Sequence, residues 1–389
     1  MDQIQQGIIV LLKSAVTETA LALPEGFDIE AALPLIKKHH MATLCYDGAV
    51  RCGVPRAHPV MQELFQGYCK LLRISEGQMR ELRRIYEAFE ENNIDYMPLK
   101  GSNMKFLYPK PELRIMGDAD ILIRTEQYDR IVPIMESLGF TAVLESDHEL
   151  TWKSSGLYLE LHKHLIPSYN KDYYAYFGRG WDLARPVEGT RYAMTPEDTY
   201  IYLFTHMAKH YRDGGIGCRH VVDLWVYRRA NPNLDDVYIG AELEKLQLRK
   251  FHENICRMLA VWFEDGEPDQ KTQVLTDCIF ASGSWGKAED HILSQSIKNS
   301  KTSVLGFSGR WVYLCRLIFP SVKNLSQNYP VLSRAPWLYP AVWLIRIVQK
   351  LTLENGKIRK HGKVMGMLTR EKLDERHRML QYVGLDYNF

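Results

Sequence analysis

The sequence predicts an α+β protein: a small mixed sheet with its helices, embedded between N- and C-terminal helical regions. Three observations predict it. Residues 1–91 carry apolar side chains at helical spacing, residues 94–165 break into short apolar or alternating runs between turn residues, and from Thr195 the pattern is helical again. The corresponding regions are an N-terminal helical region at 1–91, a core at 92–190, a helical bundle at 191–300 and a basic helical region at 301–389.

In chain order, Ile4 to Leu21, with Ile8, Leu11, Leu12 and Val16 as its stripe, and Ile29 to His40 read as short helices. Pro24, Gly26 and Gly53-Val54-Pro55 punctuate them. A long helix follows from Pro59 to Glu91, whose Met61, Leu64, Leu72, Leu82 and Phe89 recur near the 3.6-residue period and mark the face that packs on a sheet. Asn92-Asn93 closes it. Ile94 to Leu99 is an apolar strand, Lys100-Gly101-Ser102 a turn, and Asn103 to Leu107 one or two helical turns. After a Pro-bounded crossing comes a second strand carrying Asp118 and Asp120. Thr125 to Leu138 is an amphipathic helix stopped by Gly139. Phe140 to Leu144, Glu149 to Lys153 and Leu157 to Leu165 read as strands, the last two joined by Ser154-Ser155-Gly156.

Thr195-Pro196-Glu197-Asp198 starts a helix, with Pro at the first helical position and acids in the first turn. Gly214-Gly215-Ile216-Gly217 separates it from Arg219 to Arg229; Gly240 to Phe263 continues the bundle, and an acidic linker (Glu264 to Gln270) precedes another helix. The Ser- and Lys-rich stretch from Lys287 to Gly309 is expected to be mobile. Trp311 to Phe319 and Trp337 to Leu351 are aromatic and apolar with interspersed cations, which fits packing on their own domain or lying along a membrane surface. Pro punctuation at 320, 330, 336 and 340 favours the first.

The chain of 389 residues is 46% hydrophobic and 25% charged, enough to bury a large core in more than one domain. A formal net charge of +2 argues against a protein that coats nucleic acid, yet the balance is uneven. Residues 301–389 hold 15 Lys and Arg against 5 Asp and Glu, net +10, which leaves net −8 for the first 300. That basic region is the candidate for weak contact with an anionic surface. Seven scattered cysteines without any C-x-x-C point to reduced thiols in a cytoplasmic protein. The short apolar run Ile8 to Leu12 makes a poor signal peptide, and no segment approaches the roughly 18 apolar residues a membrane span needs, so no transmembrane segment is expected.

Chemistry concentrates in YMPLKGSNMKFLYPKPELRIMGDADILI, Tyr96 to Ile123. Asp118 and Asp120, two apart on a strand, point to one face while Ala119 and Ile121 point to the other. Adjacent carboxylates repel in a partly dry site unless a cation lies between them, and hard oxygen donors suit Mg²⁺ or Mn²⁺. The Gly101-Ser102 turn allows close backbone approach, and N–H groups opening a short helix favour phosphate. Each motif alone is common; D-x-D placed 16 residues after Gly-Ser, with strand, helix and strand in order, is much more specific. On the strand from Leu157, the residues Tyr158, Glu160, His162 and His164 share a polar face, either a wall of the site or an exposed sheet face. His206 and His210 share one helix face, but a zinc-hydrolase helix needs Glu after the first His, and Met207 stands there. Read from the residues alone, they are a helix-interface pair bonded to Asp223 or a backbone carbonyl.

LKGSNMKFLYPKPELRIMGDADILI, followed by a helix and then LYLELHKHL, resembles the uncharacterised nucleotidyltransferases, NTP_transf_5 type, of the DNA polymerase β-like superfamily. The resemblance covers roughly Asn92 to Arg228, and more loosely the chain to about Pro340. It implies a polymerase β-like catalytic core at 92–190, with the bundle at 191–300 lining the cleft. It further implies that Gly101 and Ser102 bind a triphosphate, that Asp118 and Asp120 hold two Mg²⁺ or Mn²⁺ ions, and that Glu160 completes the metal site. Lys100, which precedes the turn, and Arg114 face the phosphates by analogy. The His-Met-Ala-Lys-His helix with Arg219 and Asp223 resembles the family's second block, so that these residues, with His162, belong to the acceptor side. The implied activity is transfer of an NMP from an NTP, ATP among them, to a hydroxyl of a small molecule, glycan or peptide, with release of pyrophosphate. Two alternatives stay open: a non-catalytic nucleotide-binding or interaction protein that keeps the cleft, and a nucleic-acid end-modifying nucleotidyltransferase. Near-zero net charge and the lack of an RNA-binding signature weigh against the latter.

Overall fold

Side-chain caps set where the first helices begin. Asp2 accepts the Gln5 N–H at 2.7 Å while the Gln5 side chain accepts the Asp2 N–H, a capping box that starts α1 (Gln3–Thr17). Asp28 caps α2 (Ile29–Lys38) with a single bond, accepting the Glu30 N–H at 2.8 Å. The computed structural model describes residues 1–284, 286, 294, 318–322, 325, 329, 331–353 and 370–385. α3 (Ala42–Arg51) packs on α1 closely enough that a Cβ at Gly48 would collide with the Leu11 backbone carbonyl. α4 (Pro59–Glu91) is the predicted long helix, and its C-terminal half buries Leu82, Ile85 and Phe89 against the sheet.

The sheet has seven strands: β1 (Tyr96–Leu99), β2 (Ala119–Ile123), β3 (Thr141–Glu145), β4 (Glu149–Lys153), β5 (Tyr158–His162), β6 (Arg185–Glu188) and β7 (Arg191–Ala193). Their spatial order is β3-β4-β5-β2-β1-β7-β6. β2 therefore lies inside, antiparallel to β1 and parallel to β5. Strand alternation divides its side chains between two faces. Ala119, Ile121 and Ile123 join Leu159, Leu161, Trp152 and the α4 residues in one core, with Ile131 and Met135 of α6 (Tyr128–Ser137) closing it. The intervening positions, Asp120 on β2 with Glu160 and His162 on β5, are left for the opposite face.

Across that face run α8 (Pro196–Asp213), started by Thr195 Oγ1 accepting the Asp198 N–H, and α9 (Cys218–Ala230). α10 (Asp236–Lys245), α11 (Arg249–Phe263) and α12 (Gln270–Ser282) complete the bundle; Gln247, at φ +56°, breaks the predicted continuous run Gly240 to Phe263 in two. The chain divides into two compact units, the first comprising residues 1–211, 215–286 and 383–385. The second holds the helices Val331–Arg334, Tyr339–Leu353 and Arg370–Tyr382 among the described residues. There Leu325, Leu332 and Val342 form a small cluster and Phe319 stacks on Trp343, while Leu344 and Val348 stay exposed. The stretches expected to be mobile (287–309) and aromatic (311–317) lie outside the described residues, apart from Ser294. Among the described residues no helix is long and apolar enough to cross a membrane.

Because the α1–α3 contact leaves no room for a methyl group at Gly48, Gly48→Ala should destabilise the first unit by about 1–3 kcal/mol. Urea unfolding monitored by circular dichroism measures this; an unchanged midpoint would show that the two helices part freely.

Candidate active site

Pairing of three strands builds the acidic centre. Antiparallel β1 sets Leu99 opposite Asp120, and parallel β5 sets Glu160 opposite the same residue. Asp120 is only 5% exposed, and its Oδ1 accepts from Lys100 Nζ at 3.0 Å and from His162 Nε2 at 2.8 Å. Burial pushes this carboxyl upward, but the Lys100 ammonium and the His162 bond outweigh it and hold Asp120 well below the usual carboxylate range. Lys100 reaches it from a backbone at φ +39°, ψ −112°, a conformation that costs about 1–3 kcal/mol in a residue with a side chain. Burial pulls the Lys100 ammonium down, and Asp120 more than restores it to above its ordinary value.

Glu160 Oε2 lies 3.5 Å from His162 Nε2. Burial, then the charges of Glu149, Asp118 and Asp120, push its carboxyl up to about 8. Asp118 is exposed and sits one residue before β2, so the strand carries Asp120 alone where the sequence reading placed both acids on it. Asp118 makes no hydrogen bond or ion pair among the described residues, yet it lines the same cavity of about 500 Å³.

The far wall of that cavity comes from α8 and α9. His206 and His210 face it with their Nε2 atoms 3.1 Å apart. Burial and, for His206, the nearby Lys100 keep both imidazoles well below their ordinary range, hence neutral. Asp223 binds neither histidine. It accepts both Nε (3.2 Å) and Nη2 (3.0 Å) of Arg114, and the Tyr108 hydroxyl at 2.6 Å. Arg219 donates to the Ile115 carbonyl at 3.3 Å and forms no ion pair among the described residues; burial and Arg114 pull its pKa down.

Of the residues singled out from the sequence, Lys100, Gly101, Arg114, Asp118, Asp120, Glu160, His162, His206, His210, Arg219 and Asp223 all line this one cavity. Ser102 does not: it is buried, and its hydroxyl donates to the Leu99 carbonyl at 2.9 Å. A Cβ at Gly101 would stand 2.6 Å from Arg114 Nη1, so the glycine admits that guanidinium. Sequence reasoning missed His148 and Glu149, which line the cavity beside His162. The alternation of β4 marks Glu149 as one of its polar face, but which strand it meets depends on pairing the sequence does not display.

The family model described as uncharacterised nucleotidyltransferase matches residues 25–264. The chain belongs to that family. The match takes in α2 to α4 as well as the sheet and the bundle, well beyond Asn92 to Arg228. No curated protein and no solved structure matches the chain. The mixed sheet flanked by helices is a nucleotidyltransferase core, and membership makes nucleotide the substrate class and NMP transfer the general reaction. Divalent metals are usual in such a family, and one ligand atom each of Asp120, Glu160 and His162 lie within 4.8 Å of one another.

The raised Glu160 carboxyl has a consequence for stability. Its folded value of about 8 exceeds the ordinary 4.5, so the folded state retains a proton that the unfolded chain releases, and stability falls as pH rises between those values. In chelator-treated protein, wild type should lose stability relative to Glu160→Gln from pH 4.5 to 8, by at most about 1.4 kcal/mol per pH unit. Parallel pH–stability curves for the two proteins in urea would contradict this.

Proposed function

We infer that this protein is a divalent-metal-dependent nucleotidyltransferase that moves an NMP from an NTP to an acceptor hydroxyl and releases pyrophosphate. One observation carries the reading: Asp118, Asp120 and Glu160 converge on a cavity that also holds the Gly101 turn and the Arg219 guanidinium, which has no carboxylate partner among the described residues. The donor set fits Mg²⁺ or Mn²⁺, because all three are hard oxygen ligands and a divalent ion would offset the burial and the neighbouring acids that raise Glu160. Free donors remain among the described residues: Asp118 has no bond there, and both contacts to Asp120 fall on Oδ1. When bound, two such ions neutralise charge on the entering and leaving oxygens.

The chain's own groups supply the rest. Asp118 and Asp120 hold the two ions, and Glu160 completes the site and accepts the proton of the acceptor hydroxyl. Lys100, Arg219 and the backbone at Gly101-Ser102 meet the triphosphate, with Arg114 held beside them by Asp223. His162, His206, His210 and Asp223 belong to the wall that selects a small-molecule, glycan or peptide acceptor. Six free cysteines among the described residues support a reducing, cytoplasmic setting, and the basic region 301–389 supports weak contact with an anionic surface.

A second reading, a nucleotide-binding protein without turnover, draws support from Lys100, whose ammonium already neutralises Asp120. Incubating the protein with each NTP, Mg²⁺ and cell extract separates the two, with pyrophosphate release and nucleotidyl adducts followed by mass spectrometry. Asp118→Asn should cut release at least about a hundredfold with an unchanged melting temperature, because the side chain is exposed and unbonded. Asp120→Asn should abolish release and also destabilise, since it leaves the Lys100 ammonium buried without its partner. NTP binding with no release in wild type, or wild-type release from Asp118→Asn, would overturn the enzymatic reading.

A further inference from the structure

His162 has two ring nitrogens, and the acidic centre uses only one. Nε2 donates to Asp120, which in a neutral imidazole leaves the lone pair on Nδ1, the nitrogen that stands beside a second group of donors. His148 Nε2 lies 3.2 Å from it, and Glu149 Oε2 stands 3.9 Å from His162 Nδ1 and 3.8 Å from His148 Nε2. The point equidistant from these three atoms is about 2.1 Å from each, the length of a Zn–N or Zn–O bond.

The backbone holds these donors in place. Glu149 is the direct cross-strand partner of His162 between β4 and β5, and the His148 carbonyl accepts the Lys163 N–H at 2.8 Å. Ser146 closes the β3–β4 turn: its N–H donates to the Glu149 carbonyl, and its hydroxyl oxygen accepts the N–H groups of His148 and Glu149 at 3.2 and 3.0 Å. On the other side of the His148 ring, Nδ1 is buried with no hydrogen-bond partner among the described residues, so no neighbour fixes that ring's tautomer. A proton between the two imidazoles satisfies two of the three donors; a metal ion satisfies all three. Two imidazoles and one carboxylate suit borderline first-row ions better than Mg²⁺. All three residues line the cavity, which leaves the ion's remaining position open to it.

We propose that His148, Glu149 and Nδ1 of His162 form a binding site for a divalent transition ion, Zn²⁺ in the first instance, distinct from the carboxylate site of Asp118, Asp120 and Glu160. The ion would complete a carboxylate–histidine–metal arrangement with Asp120 as the outer partner, and so fix the His162 N–H on that carboxylate. The site does not rest on nucleotidyl transfer.

The test uses the full chain, treated with chelator and kept in millimolar Mg²⁺ to occupy hard-oxygen sites. Titration with CoCl2 is followed by visible absorption, and with ZnCl2 by calorimetry. The expected result is one ion per chain, with the intense d–d bands of a four- or five-coordinate Co²⁺ site. His148→Ala and Glu149→Gln should each weaken binding at least tenfold, and Glu160→Gln should change it less than threefold. Melting curves show whether each variant folds, and the isosteric Glu149→Gln carries the test if His148→Ala does not. Absence of binding below millimolar concentration, binding indifferent to Glu149→Gln, or binding lost instead with Glu160→Gln would each overturn the site. None of these readouts involves pyrophosphate release, so failure here and failure of the transfer reading are separate results.

Discussion

A carboxylate buried inside a sheet costs several kcal/mol unless cations reach it, and the arrangement of this site follows from how Asp120 is met. Two groups reach it, one from each neighbouring strand's end. Lys100 follows β1 and bends into a left-handed backbone conformation to do so; His162 is the last residue of β5. The Lys100 ion pair and the His162 hydrogen bond to Asp120 therefore fix the ends of the two strands that flank it. Glu160, directly opposite Asp120 on β5, has no Lys or Arg ion pair among the described residues, and burial with the neighbouring acids pushes its carboxyl up to about 8. Two acids in register are thus shifted in opposite directions, Asp120 down by its partners and Glu160 up.

A buried cluster around Asp223 ties the helical wall to this centre. Arg114 lies on the crossing that leads into β2, Tyr108 follows the short helix after the Gly101 turn, and Asp223 is on α9. The bidentate pair and the tyrosine hydroxyl join all three segments, and the Arg114 guanidinium rests against Gly101. Such a buried pair adds little net stability over apolar packing, but removing one partner strands the other at a cost of about 3–5 kcal/mol. Its effect is on geometry: the Gly101 turn, the approach to the acidic strand and the opposite wall cannot shift independently.

Where apolar period and turn chemistry agree, the sequence is legible. α4 begins at Pro59 and ends at Glu91 as its 3.6-residue stripe and the Asn92-Asn93 stop require, and β4 matches its alternating run from Glu149 to Lys153. The fold class and the gathering of most candidate side chains in one cavity follow from the same signals. What was not legible depends on tertiary register. β6 and β7 are short, and every residue of β6 is exposed, so no burial pattern marks them. Ser102 turns its hydroxyl to the Leu99 carbonyl, a local bond that a Gly-Ser motif neither requires nor forbids. Asp118 falls just outside the strand because pairing with β5 begins only at Ala119, and with β1 only at Asp120. His148 and Glu149 reach the site only because β4 pairs with β5, which itself pairs with β2, and no local pattern encodes that sequence of neighbours.

Occupancy of Asp120 sets an order among the cations that compete for it. A divalent ion that takes Oδ1 has to displace Lys100 or His162, and the two are not equivalent. His162 is almost wholly buried, on a strand paired on both sides, with its second nitrogen against His148. Lys100 sits on a turn outside any strand, and its side chain is 16% exposed against 3% for His162. Lysine is therefore the partner with more room to yield, and a freed ammonium would lie next to the Gly101 turn. On the transfer reading, one residue then serves two states: it balances the acid in the absence of metal, and it moves to the phosphates when metal and nucleotide arrive together.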